Sequence, residues 1–153
     1  MRFDILFLLL GSINSIKYIH EDAITYAKTW FNSVNPKYER YEQKQVEQVN
    51  FVSQCLFKAG QSFSGCKGKD YNGMLGSQNA LRDCLEGKGW IETKVRNEHC
   101  KPGYPIFIIE NNNPMILIGF EGNNVKYCGR NPDTCDGVIE QDKVYFYYLE
   151  QLR

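Results

Sequence analysis

The chain changes its residue pattern near Trp90, and this change constrains the fold more than any other feature. Before Trp90, apolar residues recur at spacings of three and four, which predicts amphipathic helices. After it, short runs of β-branched and aromatic residues alternate with turn residues such as Asn111–Asn113, which predicts consecutive antiparallel strands. Helices followed by strands indicate an α+β arrangement, and 153 residues are enough for one domain with one core.

Three helices are predicted in the first part. The first covers Glu21–Phe31, and the second runs from about Glu47 to Ala59, where Gly60 is a natural stop. The third is short, with Ser77 as its N-cap and Gly87 as its end. Between the last two, a stretch rich in Gly, Ser and Lys predicts an irregular loop.

The second part is expected to form an antiparallel meander. The predicted strands are Trp90–Val95, Pro105–Glu110, Met115–Phe120, Asn124–Cys128 and Val144–Leu149. No internal repeat or linker interrupts the chain, so a single domain covering residues 16–153 is predicted.

The first fifteen residues have the pattern of a signal peptide. Arg2 provides a basic start, Ile5–Leu10 is a short apolar core, and Gly11–Ser15 offers small residues for cleavage after Ser15. The apolar run is far shorter than the roughly 20 residues of a membrane span. The alternative is a buried N-terminal strand. The signal peptide predicts a secreted protein with no membrane segment after cleavage.

Six cysteines in a short secreted chain predict a disulfide framework. They are Cys55, Cys66, Cys84, Cys100, Cys128 and Cys135. Six cysteines permit fifteen pairings, but Cys128–Cys135 is favoured because it would close a turn-rich loop. The spacing contains no C-x-x-C and no histidine pair, so no metal site and no cofactor are expected.

The balance of charges argues against nucleic acid and anionic membranes as partners. The 18 basic residues equal the 18 acidic ones. Such a chain has no net field to attract nucleic acid or an anionic membrane. We expect a monomer.

The run Val46–Leu56 resembles a known signature, Asp-Cys-Thr-Asn-Phe-Val-Ser-Gln-Cys-Leu. This signature is typical of secreted putative amidase domains, papain-like relatives of the NlpC-type and CHAP peptidoglycan hydrolases. Residues 18–38 resemble the family's opening helix, and Lys101–Phe107 resembles its Lys-Pro-Gly-Asp-x-Ile-Phe strand entry. The resemblance implies a papain-like fold with N-terminal helices followed by an antiparallel sheet.

The same resemblance implies that the catalytic residues are replaced. The position of the family's nucleophilic Cys is Gln48, and the position of its His is Asn113, or Pro114 one register over. A later His-Thr pair of the family corresponds to Arg130-Asn131. A carboxamide can neither ionise near neutral pH nor form an acyl-enzyme, so the covalent route would be absent. An inactive member of the family is therefore predicted.

Two alternatives stay open. An active cysteine-type amidase or peptidase, cleaving peptidoglycan or peptide amide bonds, would have to use Cys55, or His99 with Cys100. Cys55 lies about 10 Å farther from the start of its helix than Gln48, the nucleophile position. His99 and Cys100 are adjacent in an extended segment, so their side chains are expected to point to opposite faces. The other alternative is a disulfide-stabilised structural or decoy protein without a ligand.

The replaced positions can still bind. Gln48, Asn112, Asn113 and Arg130 are expected to cluster if the fold is papain-like. Amide and guanidinium groups can hydrogen-bond a peptide, a cell-wall glycopeptide or a partner protein without cleaving it. The alternative is neutral drift in a site that is no longer used.

Overall fold

The computed structural model describes residues 17–150, so the predicted signal peptide lies outside the described residues. The helices are α1 (His20–Trp30), α2 (Lys44–Lys58) and α3 (Gln78–Gly87). The strands are β1 (Ile91–Thr93), β2 (Pro105–Ile108), β3 (Pro114–Glu121), β4 (Asn124–Gly129), β5 (Thr134–Glu140) and β6 (Val144–Tyr148), with a short 3-10 turn at Gln141–Lys143. The α+β prediction is confirmed.

The described strands form one antiparallel sheet in the order β1-β6-β2-β3-β4-β5. Strands β2 to β5 follow one another as the predicted meander does. The meander prediction is wrong for β6, which returns to lie between β1 and β2, with Ile106 opposite Phe146. This return path places the C-terminal strand inside the sheet, where Phe146 and Tyr147 are fully buried.

Helix α2 lies at the centre of the molecule. All ten residues from Glu47 to Leu56 are buried, because α1, α3 and the sheet strand β3 pack around the helix. The predicted stripe of Val49, Val52, Cys55, Leu56 and Ala59 is at most 1% exposed. A helix that is buried all round must also satisfy its polar side chains internally.

The polar residues of α2 attach neighbouring segments to it. The side-chain amide of Asn50 donates to the carbonyl of Leu75 (3.2 Å), and the Leu75 N–H donates to the Ser53 hydroxyl (3.2 Å). The Tyr26 hydroxyl of α1 donates to Gln54 Oε1 (2.6 Å). The Asn-Phe-Val-Ser-Gln run therefore holds α1 and the loop before α3 in place.

The start of α2 differs from the prediction, whereas both ends of α3 agree with it. Helix α2 begins at Lys44, which places Gln48 in the second helical turn. Helix α3 ends at Gly87, as predicted, but the left-handed residue that closes it is Gly89, which has a φ of +94°, and the Trp90 N–H donates to the Leu85 carbonyl (3.0 Å). This is the Schellman arrangement, in which the left-handed residue directly follows the C-cap residue, here Lys88. The predicted cap at the other end of α3 is confirmed, since Ser77 Oγ accepts the Ala80 N–H (3.1 Å).

Two disulfides hold the described chain together. The predicted Cys128–Cys135 bond is confirmed and closes the loop between β4 and β5. A second bond, Cys66–Cys84, joins the irregular loop to α3. Disulfides of this kind fit an extracellular protein. Among residues 17–150, no helix has the length and apolarity needed to cross a membrane.

Candidate functional site

Arg130 follows strand β4 and is buried, with 5% of its surface exposed. Its guanidinium forms an ion pair with the Glu47 carboxylate of α2 and donates to the carbonyl oxygens of Trp30 (2.6 Å) and Ser33. The guanidinium carbon also lies 4.5 Å from the ring centre of Phe51. One side chain thus connects the end of α1, the central helix and the sheet.

The Glu47 carboxylate has a further partner. Its second oxygen accepts the backbone N–H of Tyr41 (2.9 Å), so the acid holds the segment that leads into α2. The Tyr41 hydroxyl in turn donates to Asp70 Oδ2 (2.6 Å). Burial raises the pKa of the Tyr41 hydroxyl, and the hydrogen bond to Asp70 raises it further. The phenol therefore remains a neutral donor to the carboxylate.

Asp70 is the acceptor at the centre of this network. Partial burial raises the pKa of its carboxyl, but the hydrogen bonds from Tyr41, the Met74 N–H, Asn50 and the Asn72 N–H outweigh burial and hold the pKa below its usual value. Asp70 is therefore ionised at neutral pH.

A cavity of ≈ 900 Å³ opens beside the ion pair. Its charged lining residues are Arg40, Glu42, Lys44, Glu47, Arg130 and Asp133, and its amides are Asn32 and Asn131. Cations and anions are equal in number, and Val34 is the one aliphatic side chain in the lining. A cavity of this volume can hold a small molecule or several residues of a peptide. Its lining fits a polar, hydrogen-bonding ligand.

Gln48 is next to Glu47 in α2 but is only 2% exposed. Its side-chain N–H points to the sulfur of Met115 on β3, at 3.7 Å. A thioether is a weak acceptor, so this amide is packed against the sheet rather than bound strongly.

Asn112 and Asn113 lie in the turn between β2 and β3, and their hydrogen bonds go to α3. Asn113 Oδ1 accepts from Gln78 Nε2 (2.7 Å), and Asn112 Oδ1 accepts from Arg82 Nη1 (2.5 Å). Within residues 17–150, no hydrogen bond joins either asparagine to Gln48 or Arg130. The structure therefore pairs Arg130 with Glu47, packs Gln48 against Met115, and attaches the two asparagines to α3.

The other candidate nucleophiles are buried thiols. Cys55 is 0% exposed and Cys100 is 6% exposed. Burial raises the pKa of both thiols, which keeps them protonated. The ring of His99 stacks on Tyr148, with 5.1 Å between centroids. In the described part of the chain, no hydrogen bond joins a cysteine sulfur to a histidine, and no group of three or more His, Cys, Asp or Glu could hold a metal ion.

Sequence reasoning missed Glu47, Tyr41 and Asp70. The available signal for Glu47 was the single charged residue between Lys44 and Lys58 in a predicted helix, together with an opposite charge at Arg130 at the end of a predicted strand. Buried charges need partners, so these two residues could have been paired. Tyr41 and Asp70 gave no comparable signal, because both lie outside the predicted helices and strands, where no periodicity indicates which side chains are buried.

A comparison with protein families identifies the family of the chain. The family model of the putative amidase domain matches residues 17–101, which is more than half of the chain. Searches of curated proteins and of solved structures give no match. The matched segment contains all three described helices, including α2 with its polar attachments. The chain belongs to the putative amidase domain family.

Proposed function

We propose that this protein is a secreted, non-catalytic member of its family, with a papain-like arrangement of helices and sheet. Its ligand, a peptide or a cell-wall glycopeptide, binds in the polar cavity beside Glu47 and Arg130. The observation that carries the proposal is the buried ion pair between these residues. By resemblance to the family, Glu47 stands at the position of the acid that precedes the nucleophile, and Arg130 stands at the position of the later histidine.

The state of the thiols supports the absence of catalysis. A nucleophilic cysteine must reach the substrate as a thiolate, whereas Gln48 stands at the nucleophile position and is itself buried. Cys55 and Cys100 are also buried, with raised thiol pKa values. Amide cleavage through a covalent intermediate has no exposed nucleophile here among the free cysteines of residues 17–150.

The charges of the cavity support binding. Arg40 and Lys44 are exposed, and within the described residues neither has a carboxylate at ion-pairing distance. Glu42 and Asp133 likewise have no cationic partner there. A peptide with free carboxylate and amino groups would satisfy both signs at once.

Calorimetric titration of soluble cell-wall glycopeptides into the mature protein tests the binding site. We expect Lys44→Ala and Arg40→Ala each to weaken binding by about fivefold, the equivalent of one exposed ion pair of ~1 kcal/mol. Lys58→Ala, an exposed lysine at the opposite end of α2, is the matched control and should bind as the unaltered protein does. Equal affinities for all four proteins would place the ligand elsewhere.

A separate assay tests the absence of catalysis. Purified protein incubated with peptidoglycan should release no new amino termini. Release that disappears in Cys55→Ser or His99→Ala would show an active amidase instead.

A further inference from the structure

A second cavity, of ≈ 600 Å³, lies between α3 and the irregular loop that precedes it. The Cys66–Cys84 disulfide joins its two walls, because Cys66 belongs to the loop and Cys84 to the helix. The disulfide, the methyl group of Ala80 and the glycines Gly65, Gly68 and Gly87 provide an apolar interior. The covalent bond fixes the separation of the walls, so the cavity is part of the folded state.

Gly87 lines this cavity and has no conformational reason to be glycine. Gly89, not Gly87, adopts the left-handed conformation that ends α3. Apart from its chain neighbours and the backbone of its own helix, no atom lies within 4 Å of a Cβ built on Gly87, so packing does not exclude a larger residue. A glycine within a helix costs about 0.5–1 kcal/mol relative to alanine. The missing side chain does, however, leave the cavity open.

The rim of the cavity is cationic. The Lys88 ammonium donates to the Ser64 carbonyl (2.5 Å), and among the described residues no carboxylate lies within ion-pairing distance of Lys88 or Lys67. Asp83 is the acidic side chain of the lining. The two lysines leave a net positive charge beside an apolar interior.

We propose that this cavity binds a small organic anion, with its apolar body over the Cys66–Cys84 disulfide and its carboxylate or phosphate at Lys67 and Lys88. The site is separate from the polar cavity at Glu47 and Arg130. Its volume falls within the range of small-molecule sites, and its lining has their usual form of an apolar wall with a few charged groups.

Octanoate, octyl phosphate and neutral octanol are suitable probes for a titration of the full mature protein followed by amide NMR. We expect octanoate or octyl phosphate to shift the amide signals of Gly65, Gly68 and Gly87, and the tighter of the two identifies the head group. Octanol carries no charge and should bind the unaltered protein at least about fivefold more weakly than the anions do. Either anion should bind Lys88→Gln more weakly by a similar factor, because one exposed ion pair is lost in each case.

Substitutions at two positions of α3 distinguish filling of the cavity from a general increase in hydrophobicity. Gly87→Leu should abolish binding by filling the space, and the smaller Gly87→Ala should weaken it if the leucine variant folds poorly. Asn79→Leu adds the same side chain at an exposed position outside the lining and should leave binding unchanged. Binding that survives both Gly87 substitutions, or octanol binding as tightly as both anions, would overturn the proposal.

Discussion

The guanidinium of Arg130 and the carboxylate of Glu47 form a buried ion pair across 83 residues of sequence. The exposed fractions of the two side chains are 6% and 11%. Both groups also bond the backbone of the segment between α1 and α2, through Ser33 and Tyr41. This pair joins the central helix to the sheet and shapes the wall of the polar cavity.

Removing one partner of this pair should destabilise the protein strongly. Glu47→Leu leaves the buried Arg130 guanidinium without its carboxylate, a change that typically lowers the free energy of unfolding by about 3–5 kcal/mol. Arg130→Met leaves the Glu47 carboxylate unpaired and should have a similar effect. The double variant should lose less than the sum of the single losses, because neither charge is then left unpaired. Urea denaturation of the four proteins measures this coupling. Strictly additive losses would contradict a direct ion pair.

Gly87 and Gly89 should respond in opposite directions to alanine. Gly87→Ala should stabilise the protein by up to about 1 kcal/mol, since alanine is the better helix former. Gly89→Ala should destabilise it by roughly 1 kcal/mol or more, because its φ of +94° is strained for a residue with a Cβ. Thermal unfolding of the two variants checks the sign of each effect. The reverse order would indicate that Gly87, not Gly89, holds the left-handed position at the end of α3.

Asp70 should make the protein acid-sensitive. Its hydrogen bonds hold its pKa below the usual value in the folded state, so it contributes stability at pH values above the unfolded pKa of about 4. That contribution is lost as the pH falls through the lower folded pKa. Asp70→Asn should therefore flatten the fall of the unfolding free energy below about pH 4, while Asp136→Asn, at an exposed strand position, serves as the control. Identical acid profiles in all three proteins would argue against the network.

The two disulfides should differ in their contribution to stability. Cys66–Cys84 spans 18 residues and Cys128–Cys135 spans 7, and cross-links that close longer loops restrict the unfolded chain more. Replacing the first pair by alanine should cost about 3 kcal/mol, and replacing the second somewhat less. Denaturant midpoints of the two double variants provide the comparison. A larger loss for the shorter loop would point to native-state packing as the dominant effect.

Features of local origin were predictable from the sequence. The apolar spacing of α2 identified Val49, Val52 and Leu56 as buried, because the helical period determines which side chains share a face. Cys128 and Cys135 could be paired because a short turn-rich segment returns the chain to its starting point. The helices-then-strands order followed from the change of pattern at Trp90.

Strand β5 was missed because Asp136-Gly137 is typical of a turn. The structure places Gly137 beneath the ring of Tyr127, where a Cβ would overlap the ring. Glycine here permits close packing between β4 and β5. This reason exists only once the two strands are paired.

The sequence by itself determined the three helices, five of the six strands, the apolar stripe of α2 and the local disulfide. The tertiary structure alone decided that β6 lies within the sheet, that Asn112 and Asn113 bond α3, and that Arg130 meets Glu47. The spacing of apolar residues indicates which side chains are buried, but the partner of each side chain depends on how distant segments pack. Ion pairs and hydrogen bonds between such segments therefore appear only when the chain is folded.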